Sequence, residues 1–214
     1  MSDYLYFSMG SCALASIASC EAAGHPYNAV RLEMGADGAG ESTYAALSPL
    51  RQVPVLLTED GPIRETGAIL FYLDRLHSEI GLLPKDPKGR ELAVRWLGFL
   101  GGTLHPTFRL LWRPSRYVGN DTAAQRALRA STVNYLAKAW EAVASDLGTS
   151  AWALSSESAI DYYLHVFTRW TLGAQLSLPE ALRKHHERLA AAPAMVRAVS
   201  IEASTPIKPS KEEK

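Results

Sequence analysis

A cysteine at the opening of a helix is the residue of this chain best suited to chemistry. Cys12 stands in Met9-Gly10-Ser11-Cys12, directly after the aromatic run Tyr4 to Phe7 and at the head of a stretch that reads as helix. Backbone amides without an intrahelical partner, and the helix dipole, favour an anion there and lower a thiol's pKa toward the thiolate. Gly10 permits close approach of backbone or ligand. The residue three along is Ala15, so Cys12 is not half of a two-cysteine redox motif. A thiolate so placed stabilises a second thiol or forms a mixed disulfide with it, but cannot cycle alone. The competing reading is a small core cysteine. Cys20, in mid-helix among Ala and Ser, reads as core filler. On one helix the two sulfurs lie about 12 Å apart along the axis, beyond disulfide reach.

Three further positions could carry binding or proton chemistry. In Gln52-Val53-Pro54-Val55 the proline suits the first position of a strand, where no ladder N–H is needed. A cis Val53–Pro54 bond would turn the amide and carbonyl of Val53 outward, ready to pair with an extended peptide; the sequence leaves cis and trans open. Glu65-Thr66 falls between a strand and a helix. Thr66 is there either as an ordinary cap, or as half of a pair in which Glu65 holds an ammonium while Thr66 and the helix amides hold a carboxylate. Those two groups are the head of an amino acid. His105 follows Gly101-Gly102 on an apolar-striped helix. Two glycines cost about 2 kcal/mol in a helix interior, which points to close approach by a partner helix or a ligand. The alternative for His105 is a hydrogen-bonded, half-buried side chain. His185-His186, among Lys, Arg and Glu, reads as solvated surface, and no His/Cys cluster has metal-ligand spacing, so no metal is expected.

The elements that must position these residues fall into two groups. The chain has 214 residues, enough for two small cores, and balances 22 Lys and Arg against 22 Asp and Glu. Zero net charge gives no global field for a polyanion and argues against a nucleic-acid partner. No apolar run reaches 18 residues, so no membrane span is expected. The N-terminus has no basic signal region, and two thiols that cannot pair suit a reducing compartment, so a cytoplasmic location is expected. Leu83-Pro84-Lys85-Asp86-Pro87-Lys88-Gly89 reads as a linker. Residues 1–83 alternate strand and helix: Tyr4 to Phe7, a helix from the Ser11 cap to Ala23 stopped by Gly24, a strand at Ala29 to Glu33, a hairpin around Glu59-Asp60-Gly61, and a helix from Gly67 to Ile80. That order predicts a small α/β domain. Residues 90–204 predict an all-α bundle, with Leu92, Trp96, Leu100, Leu104, Phe108 and Trp112 as one stripe, helices at Thr122 to Ala144, Ala159 to Ala174, Pro179 to Ala191 and Ala194 to Glu202, and a Ser158–Asp161 capping box. Residues 205–214 predict a frayed tail.

Taken in order, these pieces resemble a glutathione S-transferase, and most closely the bacterial beta class. The resemblance rests on Gly10-Ser11-Cys12-Ala13-Leu14, Gln52-Val53-Pro54, Glu65-Thr66-Gly67-Ala68-Ile69, Leu104-His105 with Arg113-Pro114, and Ser158–Asp161 before Arg169-Trp170. It implies a thioredoxin-like N-terminal domain with a cis Pro54, an all-α C-terminal domain and a homodimer. It also implies a cytoplasmic enzyme that joins the glutathione thiolate to a small hydrophobic electrophile, with no metal. Cys12 and His105 would then be catalytic, and Val53, Pro54, Glu65, Thr66 and Leu104 would bind glutathione. The cleft choosing the electrophile would be lined by Phe108, Trp112 and Tyr163. Two other readings stay open: a binding protein with little catalysis, and a glutathione-dependent thiol–disulfide reductase. The chain departs from the beta-class pattern where Met34 to Gly40 carries no lysine, where Pro106 follows His105 in place of a base, at Gly98, and at Ser155 and Glu157 before the capping box. Arg51 is the candidate to replace the missing cation.

If the helix opening activates Cys12, alkylation of this thiol across a pH series has its midpoint below the ~8.5 of a free thiol. A midpoint at or above that value contradicts the helix-terminus argument.

Overall fold

The computed structural model describes residues 2–35, 38–40 and 42–208. Contacts divide the chain into two compact units, one of Met1–Leu83 with Ala190–Lys214 and one of Pro84–Leu189. Ala36 and Asp37 of the segment without lysine, and tail residues 209–214, lie outside the described residues.

The first unit is a mixed sheet with helices packed on it. Strand β1 (Asp3–Phe7) leads through helix α1 (Ala13–Ala23) to β2 (Tyr27–Arg31), which pairs with β1 in parallel. A parallel partner requires such a crossover, and a helix supplies it. The antiparallel hairpin β5 (Val55–Thr58) and β6 (Gly61–Arg64) adds to the other side of β1, giving the order β2-β1-β5-β6. Leu5 and Phe7 are fully buried while Tyr4 and Tyr6 face the other way, the period of two that a strand imposes. Helix α1 is buried along nearly its whole length, from Ala13 to Cys20, because its small residues let β1, α2 (Thr66–Leu76) and α9 (Pro193–Ser204) pack against it. Gly24 ends α1 in the left-handed conformation at φ +62°, its N–H bonded to the Cys20 carbonyl.

Several expectations need correction here. The first residue flanking α1 is Cys12, and Ser11 only accepts a long 3.4 Å bond from the Ala13 N–H while donating to the Ser8 carbonyl. A two-residue ladder of β3 (Met34–Gly35) and β4 (Gly38–Ala39) was too short to show any period. Helix α9, assigned from sequence to the helical half, packs on α1 in the first unit, where Arg197 also pairs with Glu21 at 2.9 Å. The tail does not fray through residue 208: Ile207 bridges to Arg31 and the Lys208 N–H donates to the Arg31 carbonyl, covering the free edge of β2.

The second unit is helical: α3 (Pro87–Phe99), a π-helical turn (Leu100–Leu104), α4 (His105–Trp112), α5 (Ser115–Val118), α6 (Thr122–Leu147), α7 (Ala159–Gly173) and α8 (Glu180–Ala190). Asp86 caps α3 by accepting from the Gly89 N–H, so the expected linker already belongs in part to a helix. An apolar repeat of four drifts by about 40° per step around a straight α-helix. The wider π turn absorbs part of that drift and keeps Leu100, Leu104 and Phe108 fully buried, whereas Leu92 and Trp112 at the ends come out to 40% and 42% exposure. The Ser158–Asp161 capping box is present, and Asp161 does more than cap. Its fully buried carboxylate accepts from the Ser158 N–H and hydroxyl, from the Ala153 N–H, and from His185 Nε2 at 2.8 Å. His185 is therefore core and not solvated surface, because α8 turns it toward α7's N-terminus.

Replacing Asp161 by Asn leaves one acceptor oxygen for several buried donors and should cost about 3–5 kcal/mol of stability. Chemical denaturation of D161N measures it; a loss under about 1 kcal/mol contradicts the carboxylate's role as the organising group of this unit.

Candidate active site

Pairing register gathers the predicted binding segments at one end of the first unit's sheet. Tyr6, near the C-terminal end of β1, pairs with Val55 at the start of β5, and Val55 pairs with Arg64 at the end of β6. The β1–α1 turn, Val53-Pro54 and Glu65-Thr66 thus all leave the sheet at the same edge. Cys12 is buried, and its Sγ donates to the Val53 carbonyl at 3.6 Å. The Val53–Pro54 peptide is cis. The turn is held from behind by Gln52, whose carbonyl accepts from Tyr44 Oη at 2.9 Å and Ser48 Oγ at 3.0 Å, and whose N–H donates back to Ser48 Oγ.

The β1–α1 turn has its own anchor, which the sequence did not reveal. The Gly10 N–H, at φ +73°, donates to Glu202 Oε1 at 2.8 Å, and Glu202 on α9 is 2% exposed. A carboxylate 192 residues from its partner leaves no local pattern to read.

Glu65 adopts φ +69° and ψ 130°, a region that costs a non-glycine residue of order 1–3 kcal/mol. It holds the position before α2, its carbonyl accepting from the Ile69 N–H while its carboxylate points into solvent. Neither Glu65 nor Thr66 caps α2 with its side chain, so the ordinary-cap reading of Thr66 fails. Strain here, with an exposed carboxylate beside uncapped helix amides, suits a site that holds an ammonium and a carboxylate together.

Arg51 is engaged with the chain itself. It sits at φ +50°, and its guanidinium donates to the carbonyls of Ala39 and Gly40, inside the segment that carries no lysine. Gly38 is required opposite it, since a Cβ there would stand 2.6 Å from the Arg51 Cβ.

His105 and Leu104 belong to the helical unit. Leu104 is fully buried and its side chain serves the core. The His105 N–H closes the π turn on the Leu100 carbonyl, and its ring packs 5.3 Å from Trp170 and 6.0 Å from Phe167. Desolvation, helped by the Arg109 cation, pulls its pKa down to about 4. The ring is neutral at pH 7 and too weak a base to take a thiol proton efficiently, so its available chemistry is hydrogen bonding. Among the described residues no neighbour comes within 4 Å of a Cβ placed on Gly102, and on Gly101 the Tyr163 hydroxyl alone does, at 3.6 Å, so no packed helix among them demands the glycine pair. Phe108 and Tyr163 are buried, and Trp112 is the exposed member of the same aromatic group. Among the described residues no group of His, Cys, Asp and Glu is placed to hold a metal, and no helix is long and apolar enough to cross a membrane.

The family model for the glutathione S-transferase N-terminal domain matches residues 2–75. Glutathione S-transferase GstA of Escherichia coli O157:H7 is 30% identical over 210 residues, spanning 92% of this chain and 98% of that protein. This chain belongs to the glutathione S-transferase family. A glutathione transferase homologue from Sulfitobacter, solved with bound glutathione, superposes with a TM-score of 0.84 at 25% identity, over 93% of this chain and 97% of its own. The bacterial beta class enzyme of Sphingomonas chungbukensis shares the fold with a TM-score of 0.80 at 23% identity, over 94% of this transferase and all of its own chain. The two-part architecture read from sequence, a thioredoxin-like sheet domain followed by helices, is that of the family.

The sign of the acid response of this transferase follows from its depressed histidines. His105 and His165, the latter buried on α7, are lowered by desolvation to about 4 and about 3 and bind fewer protons folded than unfolded between those values and pH ~6.5, so stability falls as pH drops through that window. Imidazole NMR should show His105 neutral down to pH ~5, with the thermal midpoint falling over the same range; a His105 midpoint near 6.5 contradicts the buried, neutral assignment.

Proposed function

We propose that this enzyme of the glutathione S-transferase family conjugates the glutathione thiolate to small electrophiles at a cysteine-type site, working as a cytoplasmic homodimer. The observation that carries the reading is the Cys12 Sγ–Val53 carbonyl contact at the head of α1. Glutathione lies extended beside the turn before β5, its cysteinyl main chain pairing with Val53 across the cis Pro54, which brings its sulfur beside Cys12. Its γ-glutamyl ammonium meets the exposed Glu65 carboxylate, and its α-carboxylate meets the Thr66 hydroxyl and the first amides of α2. At the glycyl end Arg51 offers the guanidinium N–H groups that Ala39 and Gly40 do not use. The glutathione thiol loses its proton to solvent. The thiolate then attacks the electrophilic carbon, a C–S bond forms, and the leaving group departs with its electron pair. His105, on the helical unit, is neutral at pH 7 and therefore suited to hydrogen bonding and not to general-base work.

A thiol-exchange activity rests on the same sulfur. Cys12 thiolate displaces a thiolate from a glutathione mixed disulfide and becomes glutathionylated; a second glutathione thiolate then releases glutathione disulfide and restores Cys12. Cys20 cannot resolve that intermediate, because it is fully buried and its thiol is held strongly protonated by desolvation.

Retention on immobilised glutathione, with turnover of a chlorodinitrobenzene, tests the reading. Glu65→Gln should weaken glutathione binding about tenfold, the worth of one charge-assisted hydrogen bond. Unchanged affinity refutes the Glu65 role, and retention without turnover selects a binding protein. Disulfide turnover that disappears in Cys12→Ala selects the reductase.

A further inference from the structure

The stretch between Glu91 and Asp121 contains four arginines and no carboxylate. Arg95 in that stretch is neutralised by Asp146 at 2.8 Å, whereas the half-buried Arg109, and Arg113 just past the end of α4, make no side-chain hydrogen bond or ion pair with the described residues. Elsewhere in the helical unit Arg183 faces Glu180 and Arg188 donates to the Ala151 carbonyl. An arginine can bury its stem and keep the guanidinium in water, so an unpaired head is left available to an anion from solution. Helical spacing sets Arg109 one turn beyond His105 and one turn before Trp112, on the surface of α4. Behind that surface Phe108 and Trp170 form an aromatic wall, with Trp112 and Trp170 ring centroids 4.7 Å apart. Trp112 is 42% exposed, which leaves indole surface open to a flat ligand.

We propose that the helical unit binds an organic anion, a carboxylate on an aromatic or conjugated body, with Arg109 receiving the carboxylate and Trp112 carrying the body. A guanidinium presents its N–H groups as a planar fork that matches a carboxylate bidentately, and an indole face suits a conjugated ring. The helix from His105 to Trp112 carries Arg109 as its one permanent charge, and Arg113 caps its C-terminal end just past Trp112. The inference goes beyond the transferase reading: the subsite lies wholly on the helical unit and is tested by binding, without turnover.

Quenching of tryptophan fluorescence in the full chain, with no glutathione added, gives Kd for a chloronitrobenzoate and for a neutral chlorodinitrobenzene. The carboxylate should bind at least about tenfold more tightly. Its advantage should shrink as salt rises, since the pair is only half-buried. Arg109→Gln should weaken the carboxylate by about 10- to 100-fold and the neutral compound by no more than a few fold, while Arg109→Lys restores part of the difference. Equal weakening of both compounds, or no preference in the unaltered protein, overturns the inference. Conjugation is read separately with glutathione present. A chain that binds the carboxylate through Arg109 and conjugates neither compound refutes the transferase reading and leaves the anion subsite in place.

Discussion

The contact between Cys12 Sγ and the Val53 carbonyl joins the two turns on which the proposed function of the first unit depends. One turn leaves β1 and opens α1; the other enters β5 through a cis proline. Neither is held by the contact alone. Glu202 fastens the first from α9, and Tyr44 with Ser48 fastens the second from behind. The main chain of both turns thereby takes its position from elements elsewhere in the unit, which is how a site keeps its geometry. The strained backbone of Glu65 fits the same pattern, because a conformation so costly persists only where its surroundings impose it.

The helical unit is organised by a different constraint. Asp161 gathers donors from its own helix start, from the preceding segment and from α8, so one buried carboxylate fixes how α7 and α8 meet. The π turn then shifts α4 relative to α3 so that Phe108 remains in the core and His105 reaches the aromatic group of α7. The imidazole there is neutral, and the cation next to it is Arg109. Charge on this face comes from a guanidinium that cannot lose its proton, and not from a histidine that would titrate.

Much of this was legible from local pattern. The Tyr4 to Phe7 strand, the Gly24 stop, the hairpin around Glu59-Asp60-Gly61 and the Ser158–Asp161 box each have a signature within a few residues, and each is present. What escaped depends on distance along the chain. Glu202 bonds to Gly10, Ile207 bridges to Arg31 and His185 meets Asp161, and in none of these does the sequence around one partner hint at the other. His185 is inward for a related reason: a helix rich in Lys, Arg and Glu still has one inward face, and His185, three residues after Leu182 and four before Leu189, lies on it. The π turn escaped because a four-residue repeat was taken for an ordinary helical stripe, when its excess over 3.6 was itself the signal.

A crystal structure of the chain with glutathione tests the account most directly. It should show the tripeptide extended along Val53, its sulfur beside Cys12 Sγ and its ammonium on the Glu65 carboxylate. Density for glutathione elsewhere, or a Val53 main chain still closed against Cys12 at saturating ligand, would contradict it.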